Sequence, residues 1–383
     1  MSSLNQDIVG FIRDTFKTRD FIPLHAPVFV GREREYLNEC INSTFVSSVG
    51  KFVDRFEVEM ARIAGAKFAV AVVNGTEALH VAMLVAGVER GDEVITQPLT
   101  FVATANAIAY VGAHHVFVDV DRDTVGLSPD ALQQFLTENC EVRGDTCFNR
   151  ISGRRVRACI PVHIFGHACR IDRILIVCEQ WKIAVIEDAA EALGSSYRGR
   201  PLGSFGLLGT FSFNGNKIVT CGGGGAITTN DEALAKRAKH LTTTAKVPHQ
   251  WNYVHDEIGY NYRMPNLNAA MACAQLECLD QFLQNKRELA QLYKDYFRKV
   301  DILFVVEPAE CHSNYWLNAV MLSDREARDG FLLETNAAGV MTRPAWQLMN
   351  RLPMFAGCQT GPLPNAEWLE ERLVNIPSSV RLK

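Results

Sequence analysis

Apolar runs alternate with helical stretches along the chain from about residue 68 to about residue 245. The runs that read as buried strands are FAVAVV (68–73), EVIT (93–96), HVFVDV (115–120), RACIPVHI (157–164), IAVIEDAA (183–190), LLGTFSF (207–213) and GAITT (225–229). A helix is expected to start at Ser128, because Pro129 suits the first turn. Strands that alternate with helices predict an α/β fold whose mixed, mostly parallel sheet is sandwiched by helices.

The alternation of strands and helices ends at about residue 245. A long helix is then predicted from Pro265 to about Val300, and shorter mixed elements follow. At the other end of the chain, the apolar residues between 8 and 16 fall on one stripe of a predicted helix. We therefore divide the chain into an N-terminal helix (1–20), a large domain (21–245) and a smaller C-terminal α+β domain (246–383).

Composition and charge argue against a nucleic-acid-binding or membrane protein. The 383 residues are 48% hydrophobic, and the net charge of −4 predicts no general attraction to nucleic acid or anionic membranes. The arginine-rich stretch 142–157 reads as a solvated loop. No apolar run approaches the roughly 20 residues that span a bilayer, and the charged N-terminus does not resemble a signal peptide. Eleven scattered cysteines without a C-x-x-C pair indicate reduced thiols and a cytoplasmic location.

The segment GTFSFNGNKIVTCGGGG (209–225) places one lysine, Lys217, between a strand, a polar turn and four consecutive glycines. Glycines weaken a strand unless a ligand or another backbone must come close, so the pattern predicts that Lys217 faces a binding site. A Walker A loop is excluded, because Asn216 separates Gly215 from the lysine and Ile218 stands where a hydroxyl residue is needed.

Two other strand ends carry groups that suit a ligand, at the edge where ligands bind in open α/β sheets. Gly75 and Thr76 open a helix after the first strand, and the free amides there suit a phosphate, although a plain helix cap is the alternative. Glu187 and Asp188 close a strongly apolar strand, where a carboxylate is costly unless it meets a cation. The alternative is an acid bonded to backbone amides at the edge of the core.

A lysine, a phosphate cradle and a strand-end acid together predict a pyridoxal phosphate enzyme. The cofactor's aldehyde needs a lysine amine, its phosphate an amide-rich helix terminus, and its ring nitrogen a buried carboxylate. The cluster Cys159, His163, His167 and Cys169 resembles a zinc site, but alternation along a strand turns these side chains to different faces. We therefore predict no metal.

Three motifs, EDAAEALGS, GTFSFNGNKIVTCGGGG and GYNYRMPNLNAAMACAQLE, resemble the DegT/DnrJ/StrS sugar-nucleotide aminotransferases. The resemblance runs from FVSSVGKFVDRFE (45–57) into VMTRPAW and implies the type I aspartate aminotransferase fold. It implies that Lys217 holds the Schiff-base position and that Asp188 faces the pyridine nitrogen.

The same resemblance places further residues around the cofactor. It implies that Gly75, Thr76 and Ser212 bind the phosphate, and that Phe101 stacks on the ring, a core phenylalanine being the alternative. It implies that Asn261 reaches the other protomer's phosphate, and therefore a homodimer with shared sites.

Glu191 departs from the glutamine or histidine that many relatives carry beside the cofactor's phenolic oxygen. A carboxylate there disfavours an ionised phenolate unless it is protonated or turned away. It is a candidate cofactor contact on the strength of its position alone.

The resemblance implies transamination from L-glutamate to a nucleotide-linked keto sugar, because lysine stands where dehydratases of the group carry histidine. The motifs are most similar to the branch that aminates C4 of UDP-4-keto-6-deoxy-N-acetylglucosamine, on the way to bacillosamine or legionaminic acid in bacterial glycans. Tyr315 and Arg343 are candidate sugar contacts, with a packed tyrosine and an inter-domain salt bridge as alternatives. Two other functions remain open: a 3-ketosugar aminotransferase acting on a dTDP or UDP sugar, and a regulator with this fold but no turnover.

Overall fold

A computed structural model describes residues 2–381 and shows a large mixed sheet between two layers of helices. Within these residues the strands are β1 (Phe68–Val72), β2 (Glu93–Thr96), β3 (His114–Phe117), β4 (Cys140–Arg143), β5 (Thr146–Asn149), β6 (Arg155–Ile160), β7 (Ala184–Asp188), β8 (Ser196–Tyr197), β9 (Arg200–Pro201), β10 (Leu208–Ser212), β11 (Gly225–Thr229), β12 (Lys246–Val247), β13 (Val254–His255), β14 (Leu303–Phe304), β15 (Cys311–His312), β16 (Asn318–Met321), β17 (Arg343–Pro344), β18 (Gln359–Thr360) and β19 (Leu373–Ile376). The large sheet has the order β1-β11-β10-β7-β6-β2-β3-β18, with β5 also pairing with β6. From β10 to β18 every neighbour along this order is parallel, and β11 runs antiparallel to both of its neighbours. The predicted mostly parallel sheet is confirmed.

The helices cover the sheet on both faces, as the alternating pattern predicts. They are α1 (Ser3–Phe16), α2 (Glu33–Ser43), α3 (Lys51–Ala64), α4 (Gly75–Val85), α5 (Val102–Val111), α6 (Pro129–Asn139), α7 (Ile171–Gln180), α8 (Glu232–Thr242), α9 (Asn266–Glu277), α10 (Leu279–Lys299), α11 (Arg325–Ala337) and α12 (Pro364–Glu370). Apolar residues of α4, α5 and α8 form the core on one face, and those of α3, α6, α7 and α9 form the core on the other. Helix α6 starts where expected, with the Ser128 hydroxyl accepting from the Ala131 amide.

A second, antiparallel sheet of the order β14-β16-β19-β17 lies in the C-terminal part. Its core joins α10 and α11 to the buried side of α1, through Ile8 and Ile12. The N-terminal helix is therefore packed into the C-terminal domain. Helix α9, by contrast, packs against α2 and α3, and β18 pairs with β3 of the large sheet. Elements after residue 245 therefore contact both sheets, and the domain boundaries given above stay a prediction.

Two expectations about local structure are wrong. The stretch 142–157 is not a loop throughout, because β4 and β5 form a hairpin whose turn carries Gly144 at a φ of 62°. The single helix expected from Pro265 to Val300 is two helices that break at Cys278, whose amide donates to the Gln275 carbonyl in a tighter turn. The break lets α9 and α10 pack on different domains. No helix among residues 2–381 has the length and apolar character that a membrane span needs.

Candidate active site

The predicted site residues converge at the carboxyl ends of β7 and β10 and at the start of α4. Strands β7 and β10 are parallel neighbours, with Thr210 opposite Asp188, so both strands end at the same edge. The chain leaves β10 at Ser212 and makes a turn closed by a hydrogen bond of 3.0 Å from the Lys217 amide to the Asn214 carbonyl. This turn brings the lysine back over the edge of the sheet.

The start of α4 faces the end of β10 at very short range. Asn74 caps the helix, its side chain accepting from the Glu77 amide at 3.0 Å, and the first-turn amides of Gly75 and Thr76 have no partner within the helix. A Cβ on Gly75 would lie 2.8 Å from Cβ of Ser212, so only glycine lets the helix start beside the serine hydroxyl. These amides and this hydroxyl form a compact anion cradle.

The glycines after Lys217 are needed because neighbouring atoms or the backbone conformation leave no place for a side chain. A Cβ on Gly225 would lie 2.3 Å from the Asn74 carbonyl oxygen, and one on Gly224 would lie 2.5 Å from Sγ of Cys221. Gly222 has a φ of 80°, which favours glycine. A flat ligand cannot lie beside Gly224 or Gly225, because Cys221 and Met264 fill the space at Gly224 and the backbone at Asn74, the cap of α4, fills it at Gly225.

Asp188 is the buried acid of the site, with only 4% of its surface exposed. Its Oδ2 accepts from the Thr104 hydroxyl at 2.8 Å, and its Oδ1 accepts from the Ala190 amide at 3.2 Å. Burial raises the pKa of this carboxyl, while these two hydrogen bonds and the Lys217 ammonium act in the opposite direction. A cation that arrives beside Asp188 is therefore favoured, because it stabilises a charge that burial disfavours.

Glu187, the residue before Asp188, is an acid bonded to backbone amides, which is the alternative that the sequence left open. Its carboxylate accepts from the amides of Gly203, Phe205 and Gly206 at 2.9, 2.5 and 2.7 Å and lies 3.1 Å from Nε2 of His163. Alternation along β7 turns it away from Asp188 and into the protein. It fastens the loop before β10 and takes no part in the site.

Lys217 meets two groups, a carboxylate and an indole ring. Its Nζ lies 3.7 Å from Oε1 of Glu191 and 3.9 Å from the centre of the Trp316 ring, and 13% of its side chain is exposed. Burial lowers the pKa of Lys217, while Glu191 and Asp188 act against that shift. The amine is thus closer to its neutral, nucleophilic form than a surface lysine is.

Glu191 is turned toward the lysine and held by a strained backbone. Its Oε2 accepts from the Phe165 amide at 2.7 Å, and Phe165 has a φ of 57°, which is uncommon for a bulky residue. Burial raises the pKa of Glu191 to about 7. A glutamate beside the cofactor's phenolic oxygen is expected to be protonated or turned away. A carboxyl with a pKa of about 7 is partly protonated near neutral pH and meets the first condition.

Two further predicted residues, Phe101 and Asn261, have exposed side chains. Phe101 is 53% exposed, which excludes the core alternative, and its ring centre is 6.5 Å from that of Trp346. Asn261 is exposed, and its side chain accepts from Arg263 at 3.1 Å. Among residues 2–381 the Asn261 side chain forms no hydrogen bond with Gly75, Thr76 or Ser212.

The two candidate sugar contacts differ in where they lie. Tyr315 is buried; its hydroxyl accepts from the Glu307 amide at 3.0 Å and borders a separate cavity of about 300 Å³ with Arg287. These contacts are those of the packed-tyrosine alternative, and the neighbouring Trp316 is the residue whose ring reaches Lys217. The sugar contact of Tyr315 stays a prediction. Arg343 is exposed and donates to Asn336 and to its own neighbour's carbonyl, at 3.0 and 2.9 Å.

The zinc-like sequence cluster does not come together as one group, although two of its members, His163 and Cys169, stay in contact. His163 lies beside Glu187 and Cys169, whereas His167 packs on Tyr315. Within residues 2–381 the one group with metal-ligand spacing is His240, Asp256 and Glu257, which is partly exposed.

The residues at this edge fit pyridoxal phosphate. The cradle of Gly75, Thr76 and Ser212 suits its phosphate, Asp188 suits its ring nitrogen, and Lys217 suits its aldehyde. Sequence reasoning missed Thr104 and Trp316. Both come from segments whose apolar patterns show only ordinary core positions, and packing alone brings them here.

A family comparison matches residues 29–383 to the DegT/DnrJ/EryC1/StrS aminotransferase family. The chain is 38% identical over 360 residues to a GDP-perosamine synthase of Escherichia coli O157:H7, covering 94% of this chain and 93% of that protein. It is 37% identical over 366 residues to the GDP-perosamine synthase of Caulobacter vibrioides, with 94% of each covered. The crystal structure of the aminotransferase TlmJ from Streptoalloteichus hindustanus superposes with a TM-score of 0.85 at 27% identity, with 95% of each chain covered.

Proposed function

Because the chain belongs to the DegT/DnrJ/EryC1/StrS aminotransferase family, we propose that it transfers an amino group from L-glutamate to C4 of a nucleotide-linked 4-keto-6-deoxy sugar. The protein is a pyridoxal phosphate-dependent transaminase of the type I fold that acts on sugar nucleotides. The observation that carries the proposal is Lys217 beside Glu191 and Asp188 at one sheet edge, with the anion cradle next to them.

Pyridoxal phosphate, when bound, supplies an aldehyde for an amine and an electron-withdrawing ring. The cradle of Gly75, Thr76 and Ser212 would hold its phosphate, and Asp188 would favour a protonated ring nitrogen. Phe101, half exposed at the start of α5, is placed to cover the ring.

Lys217 carries out the proton transfers of the proposed reaction. Its amine is the base that removes the proton from Cα of the amino acid and the acid that returns one to the sugar carbon. Burial lowers the pKa of Lys217, so that neutral amine is available to take up a proton. Glu191 opposes this shift, so that the protonated amine is also populated. Trp316, under the ammonium, restricts where the amine can point.

The sugar is proposed to be UDP-4-keto-6-deoxy-N-acetylglucosamine, on the resemblance of three segments to enzymes of that branch. A GDP-linked keto sugar is the second candidate, since two of the relatives are GDP-perosamine synthases. A 3-ketosugar carried by UDP or dTDP is a further alternative. We also propose that two protomers share each site, because the family resemblance assigns Asn261 to the partner's phosphate and Asn261 is exposed without a hydrogen bond to the cradle of its own chain.

A two-step titration of absorbance tests the assignment. Holoenzyme should lose its yellow colour when L-glutamate is added, and after removal of the glutamate one nucleotide keto sugar should restore it. UDP-, GDP- and dTDP-linked 4-keto sugars and a 3-keto sugar are offered in parallel, with Lys217→Ala as the inactive control. Restoration by 3-keto sugars alone, or by none of the panel, would overturn the proposal.

A further inference from the structure

Asp188 receives a hydrogen bond from a helix that carries none of the predicted acids or amines. Thr104 lies in the first turn of α5, and its Oγ1 donates to Oδ2 of Asp188 at 2.8 Å. Both residues are buried, Thr104 with 1% of its surface exposed and Asp188 with 4%. A hydrogen bond to a carboxylate that is shielded from water is stronger than one between neutral groups. The hydroxyl of Thr104 is therefore a candidate for controlling the charge and orientation of this acid.

A second threonine fixes the direction of this hydrogen bond. Oγ1 of Thr100 lies 3.2 Å from Oγ1 of Thr104, and Thr100 is also 1% exposed. A hydroxyl has one proton to donate. Because Thr104 donates its proton to Asp188, Thr100 must be the donor in the contact between the two threonines. Two donors in series thus point toward the carboxylate, an arrangement that favours its ionised form.

The loop before α5 holds Thr100 in place. The buried side chain of Gln97 donates to the Leu99 carbonyl at 3.1 Å. Its Oε1 accepts from the backbone amides of Leu127 and Val162 at 2.9 and 3.1 Å. A buried amide with these partners ties the loop to two other segments of the large domain, so the residue after Leu99 has a defined position.

The same turn of α5 connects Thr104 to Phe101. The Thr104 amide donates to the Phe101 carbonyl at 3.3 Å. Phe101 is 53% exposed, whereas Thr104 is buried against Asp188, so one turn offers a ring to a ligand and a hydroxyl to the acid. A variant that tests the hydroxyl must therefore keep the shape of the side chain, because a disturbed turn would also move Phe101.

The hydroxyl of Thr104 is the main group that offsets the cost of burying the charge of Asp188. Burial raises the pKa of this carboxyl, and Thr104 opposes that shift more strongly than a backbone amide, Lys217 or His163 does. Glu191 is a second acid at this site, and the charge of Asp188 raises the pKa of Glu191. Since two cations and one acid act on Asp188 from other elements, the contribution of Thr104 has to be measured by removing it alone.

We propose that Thr104 is a positioning residue that, with Thr100 behind it, holds Asp188 as an ionised acceptor for the ring nitrogen of the cofactor. The inference rests on the proposed function, because it takes Asp188 as the partner of that nitrogen. Thr104 engages Oδ2 and the Ala190 amide engages Oδ1, so the two hydrogen bonds fix the orientation of the carboxylate. Each oxygen can still accept a further hydrogen bond.

An infrared titration of the apoenzyme tests the proposal without substrate or cofactor. With isotope-labelled aspartate, the carboxyl band that disappears in Asp188→Asn reports the protonation of Asp188 at each pH. Thr104→Val keeps the shape of the side chain and removes the hydroxyl. The pKa of Asp188 should then rise by about one to two pH units, the equivalent of one hydrogen bond to a charged group. Thr104→Ser should restore the wild-type titration, and Thr100→Val should give a smaller rise.

Binding of pyridoxal phosphate to the same variants, measured by equilibrium dialysis, connects the titration to the cofactor. Thr104→Val should bind it about tenfold more weakly than the wild type, and Thr104→Ser should bind it as the wild type does. If Thr104→Val does not fold, Thr104→Ala compared with Thr104→Ser gives the same measurement.

Thr335→Val is the matched control. Thr335 is a buried threonine of α11 whose hydroxyl donates to the Phe331 carbonyl at 2.8 Å and lies 2.7 Å from the Thr342 hydroxyl. Its removal should leave the pKa of Asp188 and the cofactor affinity unchanged. An unchanged or lower pKa of Asp188 in Thr104→Val, unchanged cofactor affinity, or a serine variant that behaves like the valine variant would overturn the inference. A wild-type enzyme that no keto sugar recolours would instead overturn the proposed function.

Discussion

Replacing Glu191 by glutamine removes a charge from the reacting amine while leaving its surroundings in place. The amide oxygen of glutamine still accepts from the Phe165 amide, so the strained turn keeps its hydrogen bond. At the 3.7 Å separation of Oε1 from Nζ of Lys217, the lost attraction is about 4 kcal/mol at an effective dielectric constant of about 20. At 1.36 kcal/mol per pH unit, this loss would lower the pKa of Lys217 by at most about 3.

The sign follows from the charges. Glu191, with a pKa of about 7, is ionised at alkaline pH and there favours the protonated Lys217, so it raises the pKa of the lysine. In Glu191→Gln only Asp188 opposes the effect of burial, and the pKa of Lys217 must fall. We expect a fall of about one unit or more.

Competitive acetylation of the apoenzyme across the pH range measures this titration. Trace labelling with acetic anhydride, quantified on the peptide that carries Lys217, reports the fraction of neutral amine at each pH. Glu370→Gln is the control, because Glu370 is a buried carboxylate paired with Arg351 in the C-terminal part and should not move the curve. Labelling of Lys217 in Glu191→Gln at the wild-type pH or a higher one would refute the reasoning.

Three more outcomes are expected. Lys217→Ala should reduce turnover about a thousandfold or more, and borohydride reduction of wild-type holoenzyme should attach the cofactor to Lys217 and not to the other buried lysine, Lys286; an adduct on Lys286 would refute the site. Lys286 has a folded pKa of about 7 against about 10.4 in the unfolded chain, so the unfolded chain binds more protons in that window and stability rises with pH. Thermal melting should therefore show that the free energy of unfolding of the wild type rises by about 2 kcal/mol relative to that of Lys286→Met between about pH 7 and about pH 9. A difference that stays constant with pH would contradict the pKa of Lys286. Asn261→Ala should weaken cofactor retention on dialysis by about tenfold or more, the loss of a hydrogen bond to a charged group; unchanged retention would remove the support for shared sites.

Much of the catalytic edge follows from the sequence because strand ends in parallel sheets fall together. Asp188, Ser212 and Lys217 each come just after an apolar run, and Gly75 starts the helix after another, so the alternation of elements was enough to bring them to one edge. The strand pattern alone does not distinguish two adjacent acids, and the family resemblance assigns the ligand to Asp188. The hydrogen bonds of Glu187 to three amides support that assignment.

Other features depend on packing that no local pattern records. Thr104 and Trp316 lie in segments distant in sequence from Lys217, and their neighbours are indistinguishable from core positions. The ring that reaches Lys217 belongs to Trp316, one residue after the predicted Tyr315, and a φ of 47° at Tyr315 breaks the regular alternation there. The hairpin of β4 and β5 was read as a loop, since its charged face obscured the apolar positions that pair with the sheet.

The hydrogen bonds of Ser378 and Ser379 to Leu24 and Ala26 tie the segment between α1 and α2 to residues 378–379. The Ala26–Ser379 bond joins residues 353 positions apart in the sequence. Contacts between such distant residues require a long loop to close first, so this connection slows folding more than contacts between neighbouring elements do.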